Sequence, residues 1–214
     1  MKFLDFIAAN RALILECLWR HILLVVISVA VGIIIAIPLG VLLTRHKRAA
    51  GPVLGVVGVV QTIPGLVMLG FALLLFGIGL KPALIVLSIY SVLPILRNAY
   101  TGITDVEVSY VDAARGIGMT GGQILRKVEL PLAMPSIISG IRISTVYIVS
   151  WATLAGLIGA GGLGDLIWTG LSTYNTNYIL AGAVPSAILA FAFSGLIGLF
   201  QRVLTPRGLR RRGT

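Results

Sequence analysis

Residues able to do chemistry are few in this chain, and they are unevenly placed. Of its seven acidic residues, four (Asp105, Glu107, Asp112 and Glu129) fall in the single stretch 105–129, where glycines Gly116, Gly118, Gly121 and Gly122 also gather. Such a stretch can form ion pairs and hydrogen bonds with something outside lipid. Catalysis is a poor fit, because no nucleophile–base pair and no Gly-rich lysine loop for phosphate is visible. The one cysteine, Cys17, excludes an intrachain disulfide and reads as a small hydrophobe near a membrane edge. With no second cysteine and only His21 and His46, a structural zinc site is not expected, nor any cofactor bound by this chain itself.

The elements that must position the polar stretch are membrane helices. The chain has 214 residues, 57% of them hydrophobic and 11% charged. A soluble domain needs more charge than that to stay dissolved. Several apolar runs reach the roughly 20 residues that cross a bilayer core. The composition predicts an all-α integral membrane protein with about five spans, over 22–43, 53–76, 83–103, 137–158 and 179–199. Residues 1–20 mix apolar and charged positions at rough helical spacing. They predict an amphipathic interfacial segment, with Trp19 at headgroup level. The run from Ile22 to Leu43 is longer than a signal-peptide core and lacks a small-residue cleavage site, so it reads as a retained first span. Residues 21–205 then form one membrane domain, and 206–214 a basic tail.

The net charge of +10 does not point to nucleic acid. The basic residues sit in short clusters beside the apolar runs, as in loops facing anionic lipid. With five spans, Arg45, Lys47, Arg48, Arg97, Arg115, Arg126, Lys127, Arg142, Arg202 and the tail arginines share one side. Lys2, Arg11, Arg20 and Lys81 share the other. This split of 13 to 4 predicts the N-terminus outside and the 105–130 loop and C-terminus in the cytoplasm. Within the spans, Arg97 and Arg142 are expected near cytoplasmic ends, where snorkelling accommodates them. Intramembrane acids and internal repeats, both usual in ion-coupled carriers, are not evident. The many glycines and the prolines Pro38, Pro64, Pro94 and Pro185 allow close helix contact and bending.

Within the loop, Val111-Asp112-Ala113-Ala114-Arg115 predicts a short helix, with Ser109 or Thr104 as possible caps. An acid and two alanines (Asp112, Ala113, Ala114) are followed four residues on by Gly118, and then by Val128, Leu130 and Pro131. This spacing resembles the EAA signature of ABC-importer permeases, with Asp for the usual Glu and Val for the usual Ile. Two further stretches, Gln61-Thr62-Ile63-Pro64-Gly65 and Leu93 to Ile103, resemble the branch importing glycine betaine, carnitine and choline. Gly159-Ala160-Gly161-Gly162-Leu163-Gly164 is similar to that branch and to methionine-importer permeases alike.

The resemblance implies a permease subunit of the bacterial or archaeal cytoplasmic membrane, not itself an enzyme. Its short loop helix would dock on a separate cytoplasmic ATPase, which binds the ATP and magnesium and drives alternating access. It implies an extracytoplasmic substrate-binding protein and a second permease, identical or paralogous, since five spans enclose a pathway poorly. A quaternary ammonium would be held by aromatic faces. The pathway candidates are Gln61, Tyr90, Tyr147 and Trp151, with Tyr100 a further aromatic. The alternatives are a permease for methionine or another small solute and, remotely, a channel or a membrane scaffold.

Overall fold

The computed structural model describes residues 3–204, and the expectation of an all-helical chain holds across them, with no strand among the described residues. The helices are α1 (Phe3–Ala9), α2 (Arg11–Arg45), α3 (Lys47–Thr62), α4 (Gly65–Phe76), α5 (Leu80–Thr104), α6 (Val108–Gly116), α7 (Gly121–Ile124), α8 (Leu130–Leu154), α9 (Leu163–Ser172) and α10 (Thr176–Leu204). A π-turn, Leu125–Glu129, joins α7 to α8, and a 3₁₀ turn, Ala155–Ile158, follows α8. The basic tail 206–214 lies outside the described residues.

Small residues set the packing, and the pairs they form fix the topology. A Cβ on Gly32 would overlap Ser91, and one on Gly40 would meet Ala99 at 2.9 Å, so α2 and α5 run parallel and nearly backbone to backbone. Gly140 sits against Pro94 and Asn98 in the same way, and the Ser136 hydroxyl donates to the Asn98 carbonyl at 3.1 Å, so α8 is antiparallel to α5. Gln201 donates to the Pro135 carbonyl at 3.0 Å and Arg142 to Ser194 at 2.7 Å, making α10 antiparallel to α8. Without a hydrophobic drive between helices in lipid, such close approach is the main source of packing energy. Serines stitch the centre: Ser91 Oγ donates to the Ser28 carbonyl at 3.0 Å and Ser144 Oγ to the Ser91 carbonyl at 2.9 Å.

Four helices are each long and apolar enough to cross a membrane: α2, α5, α10 and the stretch Gly121–Ile158. The second expected span, 53–76, is not one helix. It is α3 and α4, bent by 89° at Ile63–Pro64. Because α2 and α5 are parallel, the chain must return between them, and this broken pair makes that return. The expected caps also differ. Helix α6 starts after Glu107 with no side-chain cap; Ser109 bonds the Glu107 carboxylate and Thr104 bonds back to the Tyr100 carbonyl.

Two other boundaries move. Among the described residues no break at residue 20 separates an interfacial segment from the first span, since α2 is continuous from Arg11 to Arg45 and the interruption comes at Asn10. The span expected to begin at 137 begins earlier, because Pro131 and Pro135 sit within a helical stretch that starts at Gly121. Proline is tolerated at the first helical positions, and Pro131 occupies one in α8. It also cannot supply the N–H that Lys127 would receive four residues back. The backbone widens there instead, and the Leu130 N–H bonds the Leu125 carbonyl in an i→i−5 turn.

Candidate functional site

Two regions carry the residues singled out from sequence. The first is the loop helix α6. Its exit is closed by paired backbone bonds, Met119 N–H to the Ala114 carbonyl at 3.1 Å and Gly118 N–H to the Arg115 carbonyl at 2.9 Å. This is a Schellman turn, and Gly118 occupies its left-handed position at φ +82°. Thr120 and Gln123 then form a capping box that starts α7. The two alanines divide: Ala114 is buried beneath the helix and Ala113 is open. Beside Ala113, Val108, Tyr110 and Ile117 are exposed, Ile117 at 80%. Asp112 is exposed and engaged within its own helix, 3.2 Å from Arg115. Val128, Leu130 and Pro131 lie in the π-turn and the first turn of α8, all partly buried, with Leu130 packed against the cluster of Ala99, Ile103, Ala133 and Ile137.

One contact there was missed from sequence. Arg45, at the end of α2, pairs with Glu129, at the end of the π-turn. The signal was available in that Glu129 directly precedes Leu130-Pro131, where a loop becomes a span.

The second region is a mixed face along α8 where aromatic, aliphatic and hydroxyl side chains meet Arg142. The four pathway candidates, far apart in sequence, come together: Gln61, Tyr90, Tyr147 and Trp151 line one cavity of about 230 Å³. Its construction follows from two prolines. Pro94 leaves the Tyr90 carbonyl without its usual helical N–H, and Gln61 Nε2 donates to that oxygen at 2.8 Å. Pro64 breaks the chain, and the Tyr90 hydroxyl donates to the freed Ile63 carbonyl. Tyr90 stacks on Trp151 with centroids 4.7 Å apart, and the Trp151 ring fills the space where a Gly65 Cβ would stand. Tyr147 is 57% exposed. Tyr100 is elsewhere, packed on the core between α2, α3 and α5.

Tyr147 is also a wall of a second cavity, of about 430 Å³, with Ser139, Arg142, Ile143, Val146, Ser150 and Ser194. Arg142 continues into a third, of about 460 Å³, with Gln201 and Arg202. The placement of Arg142 near a helix end therefore needs correction: it sits at the midpoint of α8. At the far end of the bundle, His21 Nε2 lies 3.1 Å from the Val149 carbonyl, and Gly161 and Gly162 fold over Arg20 and His21. Among the described residues no cluster of His, Cys, Asp and Glu could hold a metal.

Residues 28–209 match the family of binding-protein-dependent transport system inner membrane components. The chain belongs to this family. It is accordingly a multi-pass protein of the cytoplasmic membrane. This inner membrane component is 47% identical to the choline transport system permease protein OpuBB of Bacillus subtilis, over 97% of this chain and 95% of that one. It is 48% identical to the glycine betaine/carnitine/choline transport system permease protein OpuCB of the same organism, over 98% and 96%. Among solved structures it resembles an inward-facing form of the MetNI methionine ABC transporter, at a TM-score of 0.83 and 25% identity, over 92% of this chain and 99% of that one.

Proposed function

We propose that this chain is the permease subunit of an ATP-driven ABC importer for osmoprotectants such as glycine betaine, carnitine or choline. The observation that carries the reading is helix α6. It is a short helix locked by a Schellman turn, with Ala113, Val108 and Ile117 facing outward at the foot of two spans. In this role α6 docks in a groove of a cytoplasmic ATPase, which holds ATP and magnesium. The open alanine allows close approach, and closure of the ATPase pair pulls on α6 and, through the π-turn, on α8. The 13 to 4 charge split supports a cytoplasmic setting for this end of the bundle. The opposite end then meets the substrate-binding protein, and a second permease, identical or paralogous, completes the pathway.

Gln61, Tyr90, Tyr147 and Trp151 line that pathway in this reading. One face of Tyr90 and one of Trp151 are taken by their own stack, so the exposed Tyr147 offers the free ring for a quaternary ammonium. Methionine is the competing cargo, supported by the fold of its transporter. The identities of 47% and 48% to choline and betaine permeases favour the osmoprotectant.

The test is uptake by the complete transporter with labelled glycine betaine, choline and methionine in competition. Asp112→Lys or Gly118→Trp should abolish uptake while the protein still inserts. Unaltered transport in both variants would remove α6 from the mechanism, and preferential methionine uptake would replace the cargo.

A further inference from the structure

A charged side chain in mid-span asks for an explanation that packing does not give. Arg142 stands at the midpoint of α8 (Leu130–Leu154), exposed on this face, with its Nε donating to Ser194 Oγ at 2.7 Å. A guanidinium carries five N–H donors in a fork that fits a carboxylate. The ion pairs among the described residues are Arg20–Glu16, Arg45–Glu129 and Arg115–Asp112, and none involves Arg142.

No acid among the described residues neutralises this charge. A cation facing hydrocarbon at mid-span is costly, so the face is turned to water or protein. The acids of an identical chain are Asp5, Glu16, the four of the loop, and Asp165. None lies in α8 or α10, the helices that frame the face. The cavity around Arg142 is lined by Ser139, Ser150 and Ser194 together with Ile143, Val146 and Tyr147, the last of which it shares with the aromatic cavity. The aromatic cavity and the cavity holding the Arg142 guanidinium therefore meet at one tyrosine.

We propose that Arg142 recognises the carboxylate of the passing substrate, so that the pathway favours zwitterionic quaternary amines over purely cationic ones. The proposal rests on the osmoprotectant reading and deepens it. The carboxylate engages the guanidinium N–H groups not used by Ser194, while the ammonium end lies toward Tyr147. A substrate lacking the carboxylate meets an uncompensated positive charge instead.

The experiment uses the complete transporter, with ATPase and binding protein, in proteoliposomes at saturating labelled glycine betaine or choline. Arg142→Gln should lower the betaine-to-choline uptake ratio about 10-fold, as expected for losing a charge-assisted hydrogen bond. Arg142→Lys, which keeps the charge without the fork, should recover part of that ratio. An equal loss for both substrates, or no change for either, overturns the proposal. Should Arg142→Gln fail to assemble, Ser194→Ala decides: a shifted ratio supports the proposal and an unchanged one overturns it. A wild-type transporter that carries methionine and neither amine defeats the osmoprotectant reading itself, which is a different result from an unselective loss in Arg142→Gln.

Discussion

Arg45 and Glu129, 84 residues apart in sequence, form an ion pair where the first span ends and α8 begins, with Nη1 and Oε1 at 3.4 Å. Glu129 is buried, at 7% exposure, while Arg45 remains partly open. The pair ties α2 to the π-turn through which motion of α6 would reach α8.

Removing the arginine leaves a buried carboxylate alone. Arg45→Ala should therefore destabilise more than Glu129→Gln, by about 1–3 kcal/mol once the openness of the arginine is allowed for. Thermal unfolding of the purified protein in mild detergent measures this. The exchanged double variant Arg45→Glu with Glu129→Arg should regain a large part of the loss, and no regain would mean that the pairing itself contributes little.

At Gly118 the backbone is left-handed, and a side chain there costs about 1–2 kcal/mol. At Gly116, inside α6, an added Cβ meets nothing within 4 Å. Gly118→Ala should consequently impair uptake severalfold while Gly116→Ala leaves it close to wild type, with both proteins inserting equally. Matching behaviour of the two variants would separate the turn geometry from function.

A Cβ on Gly65 would fall 1.2 Å from an atom of the Trp151 ring. Ring and backbone cannot both stay in place, so Gly65→Ala should cost at least the 1–3 kcal/mol typical of overpacking. Adding Trp151→Leu should return part of the stability while leaving the aromatic cavity incomplete. Melting curves of the single and double variants decide the point.

Gln61 and Pro94 make a coupled pair although they do not touch as side chains. Gln61→Leu leaves the Tyr90 carbonyl unpaired, a loss of about 1–3 kcal/mol for a buried polar group. In the Pro94→Ala background a backbone N–H is restored to that carbonyl, so the same Gln61→Leu change should cost much less. A double-mutant cycle on unfolding midpoints reads the coupling, and strict additivity would argue against it.

The sequence made part of this architecture legible through simple physics. Long apolar runs require helices, and basic clusters mark where the helices end. The spacing of Asp112, Ala113, Ala114 and Gly118 located α6, because its helix and its glycine exit are local geometry. Gln61, Tyr90, Tyr147 and Trp151 were selected as polar or aromatic residues near spans, and the fold brought all four to one cavity.

Other features were hidden because they depend on contacts between distant segments. Pro131 reads as a breaker in a linear chain, yet at the first turn of α8 it costs little, and the whole span shifts toward the loop. That shift moves Arg142 from an expected helix end to mid-span. Whether 53–76 forms one rod or two was hidden in the same way, since the 89° bend at Ile63–Pro64 is held from another helix by Tyr90, whose hydroxyl reaches the Ile63 carbonyl and whose carbonyl accepts from Gln61 of α3.

By itself, the sequence determined the helices, their membrane setting and the position of the loop helix, because composition and short-range spacing act within a few turns. Only the tertiary structure decided which charges meet. Arg45 has Glu129 and Arg142 has no acid among the described residues. Ion pairing depends on distance in space, and the parallel packing of α2 on α5 and the antiparallel return of α8 set that distance.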